Sequence, residues 1–257
     1  MDTQLLIKTA MSAGEILLRS GAETYRVEDT MHHILNMADN LEMTEVLVVM
    51  TGITASVKIQ GEKAVTLVKR VDNRENNLRR VVLVNDISRR YCGGEITLEE
   101  AYDNLNDLKK HEYRRIRYCM ATIAVCTGFS IFYGGGPLEV ISSFLVGAFL
   151  AICVEAVRDL RVHPFVEDIF SSMGIAMASM VMKMIFGDHM DMDIVIISCI
   201  MPLVPGMAIT NAARDSLRGD YLSGVARMLE AFIKAAGIAL GIGLGLAIFG
   251  NLLKGGI

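Results

Sequence analysis

Apolar and polar positions follow two regimes along this chain, and the change falls near residue 115. Before it, apolar residues recur at helix or strand spacing among many charges. From Ile116 onward, long apolar runs are separated by short polar punctuation. In the first regime, residues 4–18 and 23–39 carry helical spacing, and in the second of these Val27, Met31, Ile34, Ala38 and Leu41 share a face. Residues 45–50, 53–59 and 64–70 read as strands. The middle one alternates Ile53, Ala55, Val57 and Ile59 against Thr54, Ser56 and Lys58, and QGEK (60–63) suits a hairpin turn. Helices are expected over 75–91 and 97–115. The latter opens on Thr97-Leu-Glu-Glu100, the pattern of a capping box, and its spacing runs straight into the next apolar stretch.

In the second regime the pattern predicts five spans: 116–134, 138–157, 165–186, 193–213 and 227–250. Each is close to the ~20 residues that carry a helix across ~30 Å of hydrocarbon. Helices buried in a large soluble core would show a polar stripe every turn, and 116–134 and 138–154 show almost none. The expected fold is therefore a small mixed α/β cytoplasmic domain (1–115) followed by an α-helical membrane domain of five transmembrane helices (116–257).

Charge then orients the spans. Basic residues concentrate in KKHEYRRIR (109–117), RDLRVH (158–163) and RDSLRGDYLSGVAR (214–227), whereas GGGP (134–137) and GDHMDMD (187–193) hold no Lys or Arg. The bias places the first set in the cytoplasm, giving a multi-pass cell-membrane protein with its N-terminus inside and its C-terminus outside. The start, MDTQLLIKTAMSAGEILLRS, lacks a basic opening and a cleavage pattern, so no cleavable signal is expected. Mean hydropathy is +0.41, and the net charge of −4 carries no nucleic-acid signal. The five cysteines (92, 119, 126, 153, 199) have no paired-ligand spacing, so neither disulfides nor a metal nor any other cofactor is expected.

The chemistry that stands out is "MPLVPGMAITNAARDSLRGD" (201–220), where two prolines and a glycine fall inside the fourth span. Proline removes a backbone donor and breaks a helix. Inside a membrane such a break survives only where it is buried in protein or lines a cavity. Transporters use it to present backbone groups to substrate. The candidate substrate-binding residues are accordingly Pro205, Gly206, Asn211, Arg214 and Asp215, with Arg214 and Asp215 also readable as interfacial anchors. Ionisable groups in spans are costly and mark ion or substrate paths. Glu155 and Asp168 are the proton-coupling candidates, and Glu230 and Lys234, four apart, are placed to pair on one face. Gly237, Gly241 and Gly245 form a small-residue ridge for close helix packing, with a partner or with another span. In the cytoplasmic domain Glu28–His32 and Asp29–His33 have the i,i+4 spacing that can hold a metal or share a proton. They lack a third ligand or a phosphate loop, and a solvated face is the simpler reading, so no catalytic residue is assigned.

Three stretches together resemble the threonine/serine exporter family: "SGAETYRVEDTMHHI", the strand pair around "TGITASVKI", and "PLVPGMAITNAARDSLRGDYLSGVARMLEA". The resemblance covers essentially the whole chain, and the last stretch is its most specific part. Family members have a cytoplasmic N-terminal domain followed by membrane helices, as two membrane halves in one chain or divided between two. This sequence carries one five-helix half and so resembles the larger subunit of the split form, which includes succinate exporters. The resemblance implies a small second membrane subunit as partner.

A five-span half that starts inside ends outside, so a similar following half is inverted, a known route to alternating access. The function expected is a subunit of a proton-motive-force-dependent exporter for small amino acids or dicarboxylates, acting in a lipid bilayer and not an enzyme. The alternative is a membrane-anchored enzyme or regulatory subunit using the Glu28/His32 face.

Overall fold

Asp2 starts the first helix by accepting hydrogen bonds from the amides of Gln4 (2.9 Å) and Leu5 (3.3 Å). In the computed structural model, which describes residues 2–72, 74–110, 115–159 and 162–254, that helix is α1 (Thr3–Arg19). It is followed by α2 (Thr24–Leu35), β1 (Leu41–Val49), β2 (Gly52–Ile59), β3 (Val65–Arg70), α3 (Leu78–Cys92) and α4 (Leu98–Lys110). The chain divides into two units, Met1–Glu112 with Gly206–Leu229, and Tyr113–Pro205 with Glu230–Ile257. A single boundary near residue 115 assigns 206–229 to the membrane helices; by its contacts this segment groups with the N-terminal residues.

In the first unit β1, β2 and β3 form an antiparallel sheet in chain order. Ile53, Ala55 and Val57 face inward onto α1 and α2, as the alternation requires, and Thr54, Ser56 and Lys58 face away. Gly14 lets α1 and α2 approach closely, because a Cβ there would collide with Met31 Sδ. Thr97 and Glu100 form the capping box: the Thr97 amide donates to Glu100 Oε2 (2.8 Å) and the Glu100 amide to Thr97 Oγ1 (3.2 Å). Two local expectations change. The stripe assigned to residues 23–39 ends at Leu35, since Asn40 turns the chain at φ 54° and Leu41 opens β1. The helix begun at Thr97 is described to Lys110, and its expected continuation through 111–114 lies outside the described residues.

The second unit contains α5 (Arg115–Phe132), α6 (Pro137–Asp159), α7 (Pro164–Phe186), α8 (Met192–Ile200) and the part of α10 (Tyr221–Lys254) from Glu230 onward. Among the described residues three stretches are long and apolar enough to cross a membrane: Pro137–Ala156, Pro164–His189 and Tyr221–Asn251. Their surfaces confirm the apolar-all-round character, for only 44%, 28% and 22% of their most apolar windows are buried. Phe144 and Phe149 on α6, Phe170 and Met184 on α7, and Leu240 and Leu244 on α10 all point outward. An apolar exterior of that extent is matched by lipid and not by water.

The fourth expected span is not one helix. Its first part is α8, nine residues and so about 13 Å long at ~1.5 Å per residue, which falls short of ~30 Å of hydrocarbon. Residues 201–205 form a turn, with the Leu203 amide on Ile200 O (2.8 Å) and the Val204 amide on Met201 O (3.3 Å), and α9 begins at Gly206 and ends at Leu217. Pro202 and Pro205 lack the amides that would continue the ladder. The fifth stretch, expected from 227, starts earlier because Asp220 accepts the Ser223 amide (3.2 Å) and caps α10. The basic loop 158–163 includes residues 160 and 161, which lie outside the described residues.

Candidate functional site

Within the first unit, α9 and the start of α10 fasten onto the corner between α1 and α2. Gly21 turns that corner at φ 82°, and its carbonyl accepts from Asn211 Nδ2 (2.8 Å). Arg214 pairs with Glu23. Thr24 Oγ1 lies 3.0 Å from Asp215 Oδ1 and 2.8 Å from Asp220 Oδ2. Arg227 donates from Nη2 to Ala22 O (2.9 Å), and its Nε sits 2.9 Å from Asp215 Oδ2. Outside this knot, the Arg218 guanidinium stacks 3.5 Å from the centre of the Tyr25 ring.

The two motifs GAETY and NAARDSLRGDYLSGVAR are therefore parts of one structure, joined across about 190 residues of chain. Asn211 and Asp215 are four apart and both buried, so one face of α9 is polar and inward. Burial pushes the Asp215 carboxyl above its ordinary value, against the pull of Arg227 and Thr24. The single Thr24 hydroxyl lies within hydrogen-bond distance of both carboxylates.

Of the other expected site residues, Pro205 is buried at the end of the 201–205 turn, and Gly206 is the first residue of α9 with open space where a Cβ would stand. Glu155 on α6 lies 3.5 Å from Arg115 Nε on α5. Asp168, buried on α7, lies 3.2 Å from Lys234 Nζ on α10. Lys234, expected to pair with Glu230, thus reaches across to another helix. The glycine ridge meets α7: Gly237 faces the Phe165 ring, Gly241 faces Ser172 Oγ and Ile169 O, and Gly245 faces Met173 O and Ala176. The structure brings Asn211, Arg214 and Asp215 together in the first unit, and Asp168 with the ridge in the second.

Sequence reasoning passed over the serines. Among the described residues of the second unit, the buried polar side chains are two acids, Glu139 and Asp168, and eight hydroxyls. Four of these, on Ser130, Ser143, Ser171 and Ser179, have no hydrogen-bond partner. Buried hydroxyls without partners are unusual. Serine scores as near-neutral in hydropathy, so only its recurrence in otherwise apolar runs could have drawn notice. Glu139, in the first turn of α6, accepts the Asp191 amide through Oε1 (2.8 Å).

The carboxylate–imidazole face of α2 is committed elsewhere. Glu28 Oε1 accepts the Val48 amide (2.9 Å), tying α2 to β1, and burial pushes its carboxyl above the ordinary value. Asp29 and His33 pair at 3.6 Å on an open surface, with side chains 69% and 64% exposed. Among the described residues no group of three His, Cys, Asp or Glu is placed to hold a metal.

The family described as "Putative threonine/serine exporter" matches residues 8–249 of the chain. A curated relative, "Probable threonine/serine exporter" of Mycobacterium tuberculosis (strain ATCC 25618 / H37Rv), is 19% identical over 244 residues. The match covers 94% of this chain and 46% of that protein, so the chain spans about half the relative's length. No solved structure matches the chain.

Proposed function

The chain belongs to the threonine/serine exporter family, and we propose that it is a subunit of a secondary transporter exporting small carboxylate-bearing metabolites, threonine/serine or succinate-like dicarboxylates, driven by the proton motive force. The observation that carries this reading is the Asp168–Lys234 pair, a buried carboxylate 3.2 Å from an ammonium on helices whose outer surfaces are apolar. Ionisable groups held there are expensive and are retained for ion or substrate movement. Protonation of Asp168 releases Lys234, and Glu155 beside Arg115 offers a second exchange of the same kind.

In this reading α5, whose 18 residues reach about 27 Å at ~1.5 Å per residue, and the broken α8 segment complete a five-span half with α6, α7 and α10. The N-terminus is cytoplasmic and the C-terminus outside the cell membrane. Pro205 and Gly206 leave backbone groups free for substrate, and Arg214 offers the guanidinium donors that Glu23 does not take. Asn211 and Asp215 position α9. In this reading a small partner subunit supplies the second membrane half.

Vesicles carrying the chain with and without that subunit test the reading, with serine, threonine and succinate offered under an imposed proton gradient. Gradient-driven export of one of them is expected when both subunits are present, and Asp168→Asn should uncouple it from the gradient. Export that ignores the gradient, or none of any substrate with both subunits present, overturns the proposal.

A further inference from the structure

The first unit contains a cavity of about 190 Å³ lined by residues that take no part in the Asn211–Asp215 knot. Three elements build it, each contributing one face. Lys8, Ser12 and Glu15 lie on one side of α1 at helical spacing, and Tyr102, Asn106 and Lys109 do the same on α4. The third wall is the inward face of the edge strand β3, where Lys69 stands opposite Ile53 in the register that turns Ile53 into the core.

The charges are unbalanced. Glu15 is the sole carboxylate of the lining, and it is shared by Lys109 Nζ at 2.8 Å and Lys69 Nζ at 3.6 Å. Burial pushes the Glu15 carboxyl up, but the Lys109 hydrogen bond and the charges of Lys109, Lys69 and Arg19 outweigh it and hold it below the ordinary value. Lys8 has no partner among the described residues. Three ammonium groups therefore face one carboxylate, and two positive charges in the lining stay uncompensated. A single inward lysine on an edge strand is a familiar guard against strand pairing. That guard needs Lys69 alone and leaves Lys8 and Lys109 without a reason.

Ser12 makes the second, independent observation. It is 5% exposed, it lines the cavity, and its Oγ has no hydrogen-bond partner. An unpaired buried hydroxyl costs stability unless something satisfies it. A ligand oxygen in the cavity would do so, beside the ammonium groups.

We propose that this cavity binds a small free oxyanion of charge −2, held by Lys8, Lys69 and Lys109 and by the Ser12 hydroxyl. Its volume is below the ~300 Å³ where drug-sized sites begin, so the ligand is a small metabolite. Phosphate monoesters and dicarboxylates share this chemistry. Tyr102 and Asn106 supply the polar atoms that set orientation. The site is separate from the transport reading and stands without it.

The test uses the whole chain in neutral detergent, titrated in separate arms with inorganic phosphate, glycerol 3-phosphate and succinate, at ionic strength matched by chloride. Saturable binding of one equivalent is expected in at least one arm, and the arm that binds names the class. Lys8→Gln, at an exposed position that leaves the fold alone, should weaken binding at least tenfold, and Lys109→Gln likewise. Ser12→Ala should raise the Tm of the unliganded protein while weakening the ligand. Lys63→Gln, in the hairpin turn, should change nothing. Absence of saturable binding in all three arms overturns the proposal. Binding that survives both Lys8→Gln and Lys109→Gln overturns it equally, because the anion then sits elsewhere, including any transport site.

Discussion

Arg227 lies 2.9 Å from Asp215 with both side chains almost wholly removed from solvent, 6% and 0% exposed. Twelve residues apart on α9 and α10, they close the knot over the α1–α2 corner. Removing one partner leaves the other charge buried and alone, so Asp215→Ala or Arg227→Ala should each cost about 3–5 kcal/mol. The pair Asp215→Leu with Arg227→Met should recover much of that loss, because neither charge then remains. Unfolding of the four proteins in detergent measures the coupling; additive losses would show that the two residues act independently.

Gly241 packs where a Cβ would collide with Ser172 Oγ and Ile169 O of α7, whereas Gly243 has open space around it. Gly241→Ala should destabilise the helix pair by about 1–3 kcal/mol through overpacking. Gly243→Ala should be neutral or slightly stabilising, since alanine favours helix. Equal Tm values for the two variants would show that the ridge does not bring α7 and α10 together.

Glu28 has its carboxyl raised by burial, so its contribution to stability is full below the ordinary value and falls as pH rises through the raised one. Glu28→Gln keeps an acceptor for the Val48 amide and removes the titration. Between pH about 4 and about 7 the parent should lose stability relative to Glu28→Gln. Urea titrations at the two ends read the difference, and a gap that widens in the parent's favour with rising pH would contradict the assignment.

Cysteine substitutions at Gly135 and His189, in a background without the native cysteines, should react with an impermeant reagent added to intact cells. Val162 and Ser216 substitutions should react only after the membrane is opened. The expectation follows from the lysine and arginine bias. Labelling of Val162 from outside would reverse the orientation.

Gly206→Ala should assemble normally, because its methyl meets nothing in the chain. Any fall in export then reports on backbone and substrate at the break. Arg214→Lys retains charge but loses the planar fork that suits both Glu23 and a substrate carboxylate. It should raise the substrate concentration for half-maximal export several-fold. Parent-like export by both variants would take the substrate site away from this break.

Much of the local architecture was legible because local rules govern it. The alternation in β2, the Thr97–Glu100 box and the apolar stretches of α6, α7 and α10 all rest on neighbours within a few residues. The break at 201–205 was legible for the same reason: proline lacks an amide wherever it stands. Where the local signals competed, the reading slipped. Asn40 ended the α2 stripe early, and Asp220 began α10 six residues before the apolar run.

By itself, the sequence determined that this chain joins a charged α/β domain to apolar helices and that its fourth apolar run is interrupted. These follow from hydropathy and backbone chemistry, which are properties of short segments. Only the tertiary structure decided that Asn211, Arg214 and Asp215 fasten to Gly21, Glu23 and Thr24, that Lys234 reaches Asp168 on another helix, and that Lys69 and Lys109 converge on Glu15. Each of these joins residues far apart in the chain. A buried charge or amide must find a partner, but spacing along the chain does not say which one; packing of the surrounding apolar surfaces chooses it.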